Sequence, residues 1–480
     1  MRLPLYCITV LLIAPVVLFG QANIKRPDGK SLPVPEINQM VTDLMDQADV
    51  TGLYLGIVNE NRPVFTKAYG YSNKPAGKQS DTATSLYAAS LSKFLFAYLV
   101  LQLVDKKLID LDKPLYTYLP KPLPDYDSYH DLAGDERWKL LTARHCLSHT
   151  TGFPNWRQYD NPHHNNKLEF FFTPGKFYSY SGEGIELLQL VVETITKQKL
   201  ETLAQENIFR PFGMTRTSFV WQPSFETDYA RGHSITEDSL PLLKRDEAHA
   251  AGSMQTTIAD YTRFLAAVME GRRLGARGRQ LLFSTQTPIK YNAWVFPPVE
   301  KDSVQEYQQA QLSYGVGWGL FTSLYGKAFF KEGHMEGWEH YFISFPDKKM
   351  AFVIMTNSSN GESIFKELVQ KLTGVTIPWK WENYIPYRPV AKLSMEQLQQ
   401  FTGVFDGRLK AIITLENGKL KVESPTVNLP KTTIYPANDH HLFLRIMDAE
   451  FEFVKGPDGR FVKITANDEG EYYELTRVKE

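Results

Sequence analysis

From Leu91 to Val104 the sequence is apolar on nearly every face that a helix would present. A surface helix carries one apolar stripe, whereas a helix that is apolar all round has to be buried on every side. The fold must therefore surround this segment, with Ser90 and Lys93 carried at its front end. At 480 residues the chain exceeds the roughly 250–300 residues at which single cores stop growing, so more than one domain is expected. With 53 Lys plus Arg against 54 Asp plus Glu, the chain shows none of the clustered basic charge that phosphate backbones demand. A small molecule or short peptide is the expected partner, rather than nucleic acid.

Around the buried helix the hydrophobic pattern is mixed. Ile37, Met40, Val41, Leu44 and Met45 fall at helical spacing, with Pro35 where a first turn tolerates it. Leu53 to Asn59 and Pro63 to Tyr69 read as a hairpin about a Glu60-Asn61-Arg62 turn. Helices are expected at Ile185–Ile195 and Ile258–Met269, the latter opened by a capping-box-like Thr257 and Asp260. Strand patterns return at Tyr314–Phe321, Ala328–Phe330, Tyr341–Phe345 and Met350–Met355, and a last helix at Ser363–Leu372. Strands at both ends of this region with helices between them predict an α+β fold, one antiparallel sheet closed by both chain ends.

Two prolines mark residues 384–393 as a linker, and a short helix is expected next at Met395–Phe401. Beyond it, short alternating runs at Ile412–Leu415, Leu420–Glu423, His441–Ile446, Glu450–Val454 and Tyr472–Thr476 are separated by Gly-rich turns such as Asn417-Gly418 and Asp458-Gly459. They predict a small all-β domain over 394–480, sandwich or barrel. The larger domain is expected over 23–383. Residues 1–22, with Arg2 before an apolar run from Leu3 to Phe19 and a break near Ala22, read as a secretory signal peptide, so a periplasmic or secreted protein without a remaining membrane span is expected. A retained anchor is the competing reading, and Pro4 and Pro15 weigh against it. Cys7 lies in the segment to be removed, which leaves Cys146 alone and no internal disulfide.

Ser90-Leu91-Ser92-Lys93 places a hydroxyl near the positive end of the buried helix, with an amine one turn later on the same face. Serine is too weakly acidic to attack a carbonyl unless a neighbouring base takes its proton, and Lys93 is positioned for that. Alone, the spacing also fits a helix cap beside a solvated lysine. Two further stretches change the balance: Pro174 to Gly182, containing Tyr178-Ser179-Tyr180-Ser181-Gly182, and Glu332-Gly333-His334-Met335-Glu336-Gly337-Trp338 between two late strands.

With these the chain resembles the serine β-lactamase and penicillin-binding-protein superfamily, in its class C branch of β-lactamases, D-aminopeptidases, D,D-carboxypeptidases and esterases. Leu141 to Gly152, Ala251-Gly252-Ser253-Met254 and Tyr314 to Gly319 resemble further family segments, and the ordered set is far more specific than any one motif. The resemblance implies a β-lactamase/transpeptidase-like catalytic domain and a barrel-like C-terminal module. It implies acyl transfer to water through Ser90 with no metal or organic cofactor. Lys93 and Tyr180 would share the work of general base. Backbone N–H groups of Ser90 and Gly337 would hold the oxyanion, and His334 would bind a substrate carboxylate or support Tyr180.

Two departures from the family pattern stand out. Gly182 replaces the usual Asn of Tyr-x-Asn, which disfavours efficient β-lactam hydrolysis. Glu336 stands where His-x-Gly or Lys-Thr-Gly would place Gly, so either Gly337 takes over through a one-residue shift or an acidic group faces the cleft. An inward Glu336 would favour an amine-bearing substrate. His145 and His149, four apart beside Cys146, lack the Glu of a zincin and read as structural. Small amides, D-amino-acid peptides or esters are the expected substrates. A class C-like β-lactamase and a non-turnover sensor of peptidoglycan fragments or β-lactams are the rivals.

Overall fold

The computed structural model describes residues 23–293, 295–375, 388, 390–468 and 471–478. The expected signal segment and most of the expected linker lie outside the described residues. No helix among the described residues is long and apolar enough to cross a membrane.

A nine-stranded antiparallel sheet forms the centre of the larger region: β1 (Gly52–Asn59), β2 (Arg62–Asn73), β3 (Lys78–Gln79), β4 (Thr287–Pro288), β5 (Ser313–Tyr314), β6 (Gly319–Ser323), β7 (Gly326–Met335), β8 (Trp338–Phe345) and β9 (Met350–Thr356). Their spatial order is β3-β2-β1-β9-β8-β7-β6-β5-β4. Strands from both ends of the region pair where β1 meets β9, with Leu55 opposite Ile354. The β1–β2 hairpin turns on Glu60 and Asn61 alone, both at positive φ, so Arg62 belongs to the strand rather than the turn.

Helix α1 (Val34–Ala48) buries Ile37, Val41, Leu44 and Met45 on one face of the sheet, together with α5 (Phe365–Thr373). On the other face lies α2 (Leu91–Asp105), thirteen of whose residues are buried. Phe94 shows why its pattern has no polar side: the ring meets Phe264 of α4 (Ile258–Met269) and Trp318, Phe329 and Phe342 of the sheet side. Each such Leu or Phe contributes roughly 1.5–3 kcal/mol by leaving water. Helix α3 (Gly182–Thr196) completes the helical half around the same core.

One strand expectation is corrected. Tyr314–Phe321 is not one strand but two, β5 and β6, folded back on each other with Gly319 opposite Tyr314. Gly317 makes the reversal possible: it adopts φ +99°, and a Cβ there would lie 2.3 Å from the Ala97 side chain.

From Gly403 to Arg477 the chain forms a second nine-stranded antiparallel sheet with its own core, including Phe401, Phe405, Phe453 and Phe461. Its two outermost strands, Leu429–Thr433 and Tyr435–Pro436, are separated only by Ile434, so the sheet edges meet and the sheet is a nearly closed barrel. The Asn417-Gly418 turn forms as its dipeptide predicts, with both residues at positive φ. The barrel docks on the C-terminal end of α1 and, through Arg445 and Glu367, on α5. Asp49, the left-handed cap of α1, meets Lys421 at 2.7 Å and Lys419 at 3.1 Å, while the Tyr435 hydroxyl donates to the Gln47 carbonyl.

Candidate active site

Ser90 is the N-cap of α2, entered from Ala89 at φ +45°. A buried alanine in the left-handed region is a strained position, of order 1–3 kcal/mol, held by the packing around it. No hydrogen bond among the described residues takes up the Ser90 N–H. Lys93 returns one turn later with its side chain fully enclosed, and Nζ donates to Ser90 Oγ at 3.0 Å and to the Ala251 carbonyl at 2.7 Å. The Ala251–Met254 segment thus fixes the amine from the side opposite the serine. Burial is the largest influence on this amine and lowers its pKa below the ordinary lysine value; the Tyr180 phenol pulls the other way, and the Lys331 ammonium adds to the lowering.

Tyr180 precedes α3, whose start is closed by Ser181: the Gly184 N–H donates to Ser181 Oγ at 3.1 Å. Lys93 Nζ lies 5.0 Å from the Tyr180 ring centre and Lys331 Nζ lies 4.7 Å from it. The hydroxyl oxygen is buried and completes no hydrogen bond of good geometry, which leaves it open to a reacting group. Against the ring lies His149, its centroid 4.3 Å away, with Nδ1 accepting from the Ser181 N–H at 3.1 Å. Burial first, then Lys331 and Lys93, depress the His149 pKa far below the usual value, so it is a neutral spacer. These contacts give His149 the packing role expected of it.

Lys331 escaped the sequence reading. It is fully buried on β7 and ion-paired with Glu332. Burial opposes its charge, yet the Glu332 carboxylate and the Tyr180 phenol raise its pKa above the ordinary lysine value. Lys331-Glu332-Gly333 has Lys-x-Gly spacing three residues ahead of the expected His334, and its lysine faces the same Tyr180 ring as Lys93. Gly333 explains the glycine: a Cβ there would lie 3.0 Å from the Ala88 carbonyl and 3.2 Å from Leu91, so β7 runs flush against the segment carrying Ser90.

The register of β7 determines which of its backbone groups are free to meet a substrate. Two-residue turns close both of its hairpins, at Ser323 opposite Gly326 and at Met335 opposite Trp338. Closing pairs of such hairpins are hydrogen-bonded, and bonding alternates along the strand. Odd-numbered residues of β7 thus bond to β8 and even-numbered ones face β6. Because β6 ends opposite Phe330, Glu332 and His334 present their backbone groups at an unpaired edge. Lys331 Nζ indeed takes the Glu332 carbonyl at 3.0 Å there.

Three expectations are corrected by this geometry. The His334 side chain alternates away from Lys331 and Gly333; it is 70% exposed, and Nδ1 pairs with Glu339 at 2.8 Å instead of reaching Tyr180. The Gly337 N–H is already donated to Ser359 Oγ at 2.8 Å, whereas the His334 N–H stands at the unpaired edge of β7. Glu336 is exposed at the hairpin tip rather than inward.

The Gly182 departure also has a physical cause. A Cβ at residue 182 would lie 2.6 Å from the Trp156 ring, so the indole fills the volume that a larger residue would need. Trp156 also lies 5.7 Å from Lys93 Nζ. Asn155 clamps this loop to α3, accepting from the Gly182 N–H through both its carbonyl and its side chain, and the buried Arg157–Glu183 pair at 2.6 Å locks it.

The Beta-lactamase family model matches residues 37–372. Similar proteins include Penicillin-binding protein 4* of Bacillus subtilis (strain 168), 22% identical over 455 residues, covering 87% of this chain and 92% of that protein. Protein flp of Staphylococcus aureus (strain N315) is 20% identical over 382 residues, covering 76% of this chain and 70% of its own. Among solved structures, the octameric penicillin-binding protein homologue from Pyrococcus abyssi superposes with a TM-score of 0.60 at 16% identity, covering 93% of this chain and 100% of that one. D-alanine carboxypeptidase AmpC from Burkholderia cenocepacia gives 0.53 at 20% identity, covering 67% and 93%. The solved structures share the α+β fold, and the family match spans the serine helix, the tyrosine loop and β7: the chain belongs to the beta-lactamase family.

Proposed function

We propose that the protein is a serine hydrolase working through an acyl-enzyme on Ser90, with small amides, D-amino-acid peptides or simple esters as substrates, and that it acts outside the cytoplasm. The observation that carries this reading is the enclosed Lys93 amine, 3.0 Å from Ser90 Oγ and facing the same tyrosine ring as Lys331. Two lysines in one dry cluster have environments that push their pKa values apart, which is how a base and a fixed charge are made from the same residue type.

In the proposed reaction, neutral Lys93 accepts the Ser90 proton as Oγ bonds to the substrate carbonyl carbon and the carbonyl electron pair moves onto oxygen. The N–H groups of Ser90 and His334 hold that oxyanion. Lys93 passes the proton through Tyr180 to the leaving amine or alkoxide as its bond to carbon breaks. Water then attacks the ester, giving its proton back through the same pair, and Ser90 is restored. Lys331 stays charged throughout and favours negative charge developing nearby.

Trp156 against Gly182 supports esters and amides over β-lactams, since an indole stands where relatives offer an amide to the substrate. A panel of p-nitrophenyl esters, D-aminoacyl p-nitroanilides and nitrocefin tests the reading. Ester or anilide turnover that vanishes in Ser90→Ala, with nitrocefin poorly turned over, is expected. Undiminished turnover by Ser90→Ala, or no turnover of any member of the panel, would overturn it.

A further inference from the structure

Among the described residues four carboxylates are buried, and three of them face a lysine or arginine: Glu183 faces Arg157, Asp260 faces Arg263, and Glu367 faces Lys371 and Arg445. The fourth, Glu339 on β8, is 2% exposed and has no such partner. Among the described residues its carboxylate hydrogen-bonds only with His334, across the β7–β8 ladder. Beside it stands Glu362, partly buried in the short turn Gly361–Ile364 after β9. No hydrogen bond or ion pair takes up the Glu362 carboxylate among the described residues. One donor atom from each of His334, Glu339 and Glu362 lies within 4.8 Å of the other two.

A buried carboxylate beside a partly buried one is costly unless a cation lies between them or a proton is held there. An imidazole nitrogen with two carboxylate oxygens is a donor set for first-row divalent metals, whose bonds of roughly 2.0–2.2 Å hold neighbouring ligand atoms about 3 Å apart, so a cation would open the 2.8 Å His334–Glu339 hydrogen bond and draw Glu362 in. The exposed imidazole of His334 leaves a route of entry and open positions for water.

We propose that His334, Glu339 and Glu362 form a binding site for a divalent cation of the zinc or manganese type. The cation would tie the β7–β8 hairpin to the turn after β9. It would lie on the opposite side of β7 from Lys331 and Gly333, and so brace the strand that runs past Ser90. Metal content and thermal midpoint report its binding without recourse to turnover, so the site stands or falls independently of the proposed reaction.

The full chain, without an affinity tag, would be stripped with chelator and dialysed against Zn2+, Mn2+ or Ca2+. Roughly one equivalent of Zn2+ or Mn2+ by elemental analysis, with a raised melting midpoint and weaker binding of Ca2+, is expected. Glu362→Gln and His334→Gln should each weaken binding about tenfold or more. His249→Gln, removing an exposed imidazole paired with Glu186 elsewhere, should leave the stoichiometry unchanged. The exposure of His334 makes its variant the one expected to fold normally. Failure of the wild-type chain to retain Zn2+ or Mn2+ at millimolar concentration, or equal affinity in folded His334→Gln and wild type, would overturn the site.

Discussion

The two nine-stranded sheets distribute their polar groups in opposite ways. Beside the first sheet, two lysines are enclosed around one tyrosine, and buried carboxylates sit on its flanks. The barrel buries a core of Phe, Leu and Ile, and keeps most of its charged side chains at or near the surface. Its ion pairs to Asp49 join it to α1. Burying charge is costly and is retained where it serves a purpose, so the contrast locates reactivity in the first region and leaves support or partner contacts to the second.

Removing the nucleophile breaks this contrast most sharply. Ser90→Ala should lower turnover of any productive ester by roughly 10^4 or more, in steady-state assays of folded protein, while leaving the melting midpoint nearly unchanged. Replacing Lys331 by Met should lower kcat/KM by about 10^2–10^4. Because the Lys331 ammonium helps to hold the Lys93 pKa down, losing it raises the pH at which Lys93 becomes a free base. The rising acid limb of the kcat/KM–pH profile should therefore move to higher pH in Lys331→Met. A limb that stays in place would separate Lys331 from the proton network.

A smaller effect is expected where the tyrosine loop meets Trp156. Gly182→Asn should cost about 1–3 kcal/mol by denaturant unfolding, because the new side chain meets the indole, and adding Trp156→Ala should recover part of that loss. The smallest effect belongs to the barrel. Asp49→Asn weakens partly exposed pairs with Lys419 and Lys421 while keeping a hydrogen-bonding side chain there, so the stability change should be no more than about 1 kcal/mol, with unaltered turnover. A large loss of activity in Asp49→Asn would mean that the barrel reaches the chemistry after all.

How much of this was legible in the sequence depended on whether local pattern or strand register carried the information. Ser90 and Lys93 announce themselves because an all-apolar helix has few positions for polar residues, and each one demands an explanation. Tyr180 was readable from its loop and the capped helix after it. The sequence reading centred on His334, whereas the structure brings Lys331, three residues earlier, to the Tyr180 ring. Lys331-Glu332-Gly333 has the Lys-x-Gly spacing, but a lysine among strand residues resembles a solvated one until the two hairpin turns fix which way it points. The His334 N–H was beyond reach for the same reason: an unpaired edge is a property of where β6 stops. In the barrel, Asn417-Gly418 was clear, whereas Leu429–Thr433, containing Pro430, carries too weak an alternation to be read as a strand.

The central claim is that Ser90 Oγ becomes covalently acylated. Its most direct test is rapid-quench mass spectrometry of the full chain with a p-nitrophenyl ester, combined with mapping of the modified peptide. The account predicts an added acyl mass on the peptide containing Ser90 that forms in the burst and decays at the rate of turnover. Ester turnover with that peptide never modified, or with the acyl group carried on another side chain, would contradict it.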